Sequence, residues 1–193
     1  MNLILTIVIA IIGCILATKY YRKRKILKPD GAGCLLWWDD TVLLLERNPE
    51  YINNARKAHE LEFPGGKYDP SKDAVPFFDT ALREVREETG IELNAHQIQR
   101  AKVVKDRTPS NKETALFVVN LTLDQVLEVA KLKEKLQDDK KTAPKSRESQ
   151  DMHWIPVQLL KNYVVNNNEL ALPYKLRPFN VPLIKKLFIE NKL

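Results

Sequence analysis

Cysteine is scarce in this chain, and the scarcity excludes two kinds of protein. Cys14 and Cys34 are too few for a disulfide framework and stand at no metal-ligand spacing. Both lie in apolar stretches and read as packing residues, compatible with a reducing compartment. Histidine is equally thin. His59, His96 and His153 have no ligand spacing to one another, and His59 reads as a polar loop residue. No internal repeat is present. Long apolar runs are absent too, apart from residues 3–17, which are almost unbroken Leu, Ile, Val and Ala with no charge before Lys19.

The chain has 193 residues and a formal net charge of +6, which invites a nucleic-acid reading until the charge is located. Residues 1–29 contain Lys19, Arg22, Lys23, Arg24, Lys25 and Lys28 and no acid, and the remainder is balanced. The excess therefore sits beside the apolar run, as in a membrane-proximal basic cluster, and not over a nucleic-acid surface. The lysine-rich stretch Lys131 to Lys145 also carries Glu134, Asp138 and Asp139, so it reads as a solvated helix end and loop.

Residues 2–18 are short for a spanning helix, but Tyr20 and Tyr21 suit the interface and Lys19 can snorkel. The charge follows the apolar core, the reverse of a cleaved signal peptide. The expectation is a transmembrane anchor with a basic juxtamembrane segment over 1–28, followed by one domain over 29–193. The positive-inside rule then puts that domain on the cytoplasmic side of a membrane.

Within the domain, residues 31–38 read as a buried strand, with 41–47 as its hairpin partner. A helix is expected over 77–89, with Pro76 at its first turn and Gly90 at its stop. Strands are expected near 98–107 and 114–122, a helix from Asp124 to Leu136, a loop over 138–150, a strand end at 153–156 and a last helix over 180–190. Mixed strands and helices of this order argue for an α+β or α/β/α arrangement. Of Trp37 and Trp38, adjacent on a strand, one belongs to the core while the other is free to stack on a base.

The segment that carries chemistry is Arg83-Glu84-Val85-Arg86-Glu87-Glu88-Thr89-Gly90-Ile91. On a helix Glu84, Glu87 and Glu88 stand at i, i+3 and i+4, so their carboxylates share one face, opposite Phe78, Leu82 and Val85. Carboxylates gathered this way repel, and a hard divalent cation offsets that repulsion. Arg83 lies four residues before Glu87, within reach to orient it. Alone, the segment reads equally well as a solvated acidic face. Upstream, Phe63-Pro64-Gly65-Gly66-Lys67 gives a backbone that approaches metal or phosphates closely, with a Gly66 carbonyl available as an oxygen ligand.

Together these pieces resemble the Nudix box: Gly, five residues, Glu, seven residues, then Arg-Glu-apolar-any-Glu-Glu-any-Gly-apolar. The second half matches at every specified position from Arg83 to Ile91. The first half departs, because Val75 stands where the pattern has Glu and Asp69 where it has Gly. Asp69, Asp73 and Asp79 are candidates for the missing supporting acid. The resemblance extends more loosely from about Lys28 to Leu160 and implies a Nudix-type α/β/α sandwich with a mixed sheet. It implies Mg²⁺ or Mn²⁺ bound by Glu84, Glu87 and Glu88, with Glu84 also able to activate water. The implied reaction is hydrolysis of a diphosphate linkage in a small nucleoside diphosphate derivative. A late-loop acid often completes such a metal site, and Glu148 is the candidate. Arg47 and Arg56 are available for a substrate phosphate. The alternatives are a hydrolase of capped RNA and a catalytically silent, membrane-tethered nucleotide-binding module.

Overall fold

The computed structural model describes residues 28–48, 59–107, 112–142 and 149–193. The apolar and basic segment 1–27, Arg56 and Glu148 lie outside the described residues, and so do the expectations placed on them. Lys28, expected as the last residue of the anchor segment, opens the first strand. Among the described residues no helix is long and apolar enough to cross a membrane.

Strands β1 (Lys28–Trp38), β2 (Thr41–Arg47), β3 (Leu61–Glu62), β4 (Gly65–Lys67), β5 (Lys102–Arg107), β6 (Lys112–Asn120) and β7 (Ser149–Pro156) form one mixed sheet. β1 is central. It runs parallel to β6 along one edge, and along the other it pairs antiparallel first with β4 and then with β2. β2 carries β3 and β7 as antiparallel partners. β1 thus turns from β4 to β2 along its length, and the loop from β3 to β4 bridges the two pairings.

Helices cover both faces. Helices α1 (Phe78–Thr89), α2 (Ala95–Arg100) and α3 (Leu123–Thr142) share one core with Cys34, Leu36, Leu43 and Leu45. Helices α4 (Val157–Val164) and α5 (Asn180–Ile189) share the other with Leu35, Val42, Leu44 and Leu61. The alternation of Val42 and Leu44 with Leu43 and Leu45 is the period-two pleat buried on both sides, which makes β2 an unbroken apolar run in sequence. Burial pushes the Cys34 thiol up in pKa, so it is a packing group. Trp37 packs partly into the α4–α5 core, and Trp38 is half-buried.

Three expected boundaries move. Residues 98–100 belong to α2 and not to a strand, because Asn94 and Gln97 form a capping box that starts a helix there. α3 runs on to Thr142, through residues expected to be loop, since Lys, Gln and charged neighbours sustain a helix. β7 begins at Ser149, and α4 follows it directly where no helix was expected.

Candidate active site

α1 is held at both ends. Val75 N donates to the Asp79 carboxylate at 2.7 Å, and Gly90, left-handed at φ 69°, donates to the Arg86 carbonyl. Ala81 and Val85 are buried on the sheet side, with Phe78 and Leu82 packed partly against them. Glu84, Glu87 and Glu88 flank this stripe, one helical turn apart, and α1 packs across β1 and β4.

Two of these carboxylates converge on the glycine strand. Glu88 Oε2 accepts from Gly65 N at 2.8 Å. Gly66 lies against Glu84 so closely that a Cβ there would stand 2.3 Å from Glu84 Oε1 and 2.6 Å from Oε2. Only glycine gives that approach. The Gly66 carbonyl, expected as a ligand, lies close to Gly31 of β1. Glu87 is set apart from this pair, its side chain 47% exposed and tied to Arg83 Nη1 at 3.1 Å.

Arg83 is the knot of the arrangement. Its Nε and Nη2 donate to Asp73 at 2.9 and 3.1 Å, its Nη1 to Glu84 at 2.5 Å and to Glu87, and its Nη2 to the Lys67 carbonyl at 3.0 Å. Helix, glycine strand and preceding loop are thereby locked together. Of the three candidates for the missing acid, Asp73 takes the position. It is buried, and it also accepts from Thr80 Oγ1 and Asp69 N. Asp69 binds Ser71, and Asp79 is spent on Val75. Hydrogen bonds from Arg83 outweigh burial and hold the Asp73 carboxyl down at about 2, and the same pair pushes Arg83 up.

Arg47 is not offered to a phosphate: it is buried, donating to both Glu62 oxygens at 2.8 and 3.0 Å, and Arg177 Nη1 donates to Glu62 at 2.6 Å. His59 reaches Glu46 Oε1 at 2.6 Å and His153 reaches Oε2 at 2.8 Å, while His96 is exposed on α2. With Asp151, directly opposite Glu46 in the β2–β7 ladder, Glu46 and His153 form a group whose ligand atoms lie within 4.8 Å of one another. Chain spacing gave no sign of this group, which exists only through strand pairing.

The chain matches the family model described as NUDIX domain over residues 27–175. No curated protein sequence matches it significantly. Similar solved structures include a NUDIX hydrolase from Nitrosomonas europaea, with 17% identity, 86% of this chain and 91% of that one covered, and a TM-score of 0.46. An Ap4A hydrolase from C. elegans has 18% identity, coverage of 83% and 97%, and a TM-score of 0.46. The NUDIX domain of Shewanella oneidensis NrtR, complexed with ADP ribose, has 15% identity, coverage of 86% and 89%, and a TM-score of 0.49. With the family match spanning most of its length and the helix, glycine strand and mixed sheet in place, the chain belongs to the NUDIX domain family.

Proposed function

We propose that the protein hydrolyses a diphosphate linkage in a nucleoside diphosphate derivative, with a divalent cation, Mg²⁺ or Mn²⁺, held by Glu84, Glu87 and Glu88. The observation that carries this is the meeting of Glu84 and Glu88 with Gly65 and Gly66, a cradle that any Cβ at Gly66 would fill. Oxygen donors on a rigid face fit a hard cation. When bound, such an ion neutralises charge on phosphate oxygens and makes a coordinated water more acidic.

The chain's own residues supply the rest. Glu84, lodged between Arg83 and Gly66, is the carboxylate placed to take a proton from the attacking water. The water oxygen forms a bond to one phosphorus, the bridging P–O bond breaks, and the departing phosphate leaves with the bridging oxygen. Arg83 touches carboxylates and the Lys67 carbonyl, so it acts as a positioning residue and not as a catalytic one. Lys67 brings a positive charge to the same strand. The anchor over residues 1–28 is part of the same proposal and places this chemistry at the cytoplasmic face of a membrane.

The test is turnover of a panel of nucleotide sugars, dinucleotides, coenzyme A and capped RNA with Mg²⁺, with and without a chelator. Glu84→Gln and Glu88→Gln are expected to lose about 10²-fold or more in kcat while keeping the melting temperature. Full activity in both variants would overturn the assignment. Residues 1–28 fused to a reporter are expected to carry it to membranes, and a soluble fusion would remove the anchor from the proposal.

A further inference from the structure

The face of the sheet turned away from α1 holds a second group of metal-ligating side chains. Glu46 continues the alternation of Val42 and Leu44, which pack with α4 and α5, so it stands on their face of β2. Asp151 is its direct partner in the β2–β7 ladder, and His153 is the partner of Leu44. Glu46, Asp151 and His153 each bring one ligand atom within 4.8 Å of the others.

Three features distinguish this group from ordinary surface charge. Glu46 is only 3% exposed, and two carboxylates placed opposite each other repel unless a cation joins them. Lys133 stands 3.8 Å from Asp151, beyond hydrogen-bond distance, and donates to the Met152 carbonyl. The second feature is a bulge. Between Glu46 and Arg47 the register moves two residues on β7, from Asp151 to Ser149, which leaves Gln150 as the extra residue. Bulges re-aim side chains beside functional sites, and here the Gln150 amide reaches Glu46 and stands 2.9 Å from His59 Nδ1. The third is the pair of imidazoles. His59 Nδ1 faces Glu46 Oε1 at 2.6 Å, and His153 Nε2 faces Oε2 at 2.8 Å. Both rings rest on Tyr174, at centroid distances of 5.8 and 5.5 Å, which holds their nitrogens inward.

Two imidazoles with two carboxylates are the donor set of a borderline transition ion, whereas Mg²⁺ takes oxygen ligands and water. Ligand atoms roughly 2.1 Å from a tetrahedral Zn²⁺ lie roughly 3.4 Å from one another. That spacing falls between the 2.6 Å contact and the 4.8 Å limit found in this group.

We infer that Glu46, Asp151, His153 and His59 form a second metal site, for a borderline divalent transition ion, Zn²⁺, on the face of the sheet opposite the α1 carboxylates. The ion replaces the protons that the imidazoles hold toward Glu46, and those protons leave to solvent. It pins the end of β2, the start of β7 and the residues leading into β3, and through β3 it steadies the Phe63 to Gly66 turn. The inference is independent of the proposed hydrolysis.

The full chain is stripped with a chelator, exchanged into buffer with millimolar Mg²⁺ and titrated with Zn²⁺ by calorimetry. One Zn²⁺ per chain is expected to bind with a micromolar or tighter Kd and to raise the melting temperature by about 5 °C or more. His153→Gln keeps a hydrogen bond to Glu46, and His59→Ala changes a side chain that is 53% exposed. Each should weaken Zn²⁺ at least tenfold and remove most of the thermal shift, while the metal-free variants melt as the metal-free wild type does. Glu84→Gln should leave Zn²⁺ binding as it is. The visible bands of the Co²⁺-loaded protein should change in His153→Gln and stay the same in Glu84→Gln. No Zn²⁺ binding over Mg²⁺, binding untouched by both histidine variants, or binding abolished by Glu84→Gln overturns the inference. If His153→Gln fails to fold, His59→Ala decides by the same criteria.

Discussion

The carboxylates of α1 and those of the β2–β7 ladder are held by different partners. On α1, Arg83 holds Asp73, Glu84 and Glu87 through a guanidinium that stays charged at any working pH. On the ladder, Glu46 and Asp151 face each other across strands, an unfavourable pairing. There the relief comes from the imidazoles of His59 and His153 on Glu46 and from Lys133, 3.8 Å from Asp151. Burial alone would raise the Glu46 pKa, but the hydrogen bonds from His59, His153 and Gln150 lower it. A permanent charge fixes geometry across the whole pH range. The α1 group therefore has the constancy a catalytic centre needs.

That contrast is broken most sharply at Gly66. An added Cβ collides with the far end of a flexible side chain, so Gly66→Ala should displace the Glu84 carboxylate while sparing the fold. Activity is expected to fall about 10²-fold, as for an ångström-scale misplacement of a reacting group, with the melting curve nearly unchanged. A wild-type rate in this variant would show that the Glu84 position is not critical.

Next in size is Asp73→Asn. It leaves Arg83 largely buried with its main partner gone and should cost about 3 kcal/mol in denaturant unfolding. The pH profile carries the same information. The Asp73 pKa is lowered on folding, so its stabilisation is complete above about pH 4 and drains away as pH falls toward about 2. Acid titration of unfolding should show that loss in the wild type and not in Asp73→Asn.

The smallest effect belongs to the ladder. Glu46→Gln keeps an acceptor for the histidines and removes one of the opposed charges, so about 1 kcal/mol is expected. Because the Glu46 pKa is also lowered on folding, its contribution is present above the ordinary carboxylate range and fades below it. A cost as large as that of Asp73→Asn would erase the distinction between the two groups.

The legible parts of this molecule were those written in local periodicity. Glu84, Glu87 and Glu88 lie one helical turn apart, and the apolar run of β2 and the Phe63 to Gly66 turn are equally local, so the sequence located all three. Asp73 could be narrowed only to one of three acids, because its choice depends on where a loop folds back onto Arg83. Glu46 and His153 are brought together solely by strand register, which spacing along the chain does not report. The short helix α4 escaped because Pro156 read as a strand end, and a proline at a helix boundary serves equally well as a start. α3 was cut short because its charge was taken for a loop signal.

One contact made by the tail bears on how the protein behaves when shortened. Leu61 N donates to the Lys175 carbonyl and Arg177 N to the Leu61 carbonyl, so residues 175–177 zip along the outer side of β3. A protein ending before Lys175 would present that side as a raw, unpaired border, the kind that recruits neighbouring chains into aggregates. Proteolytic trimming of the last twenty or so residues would also strip α5 from its core, so solubility and fold would fail together.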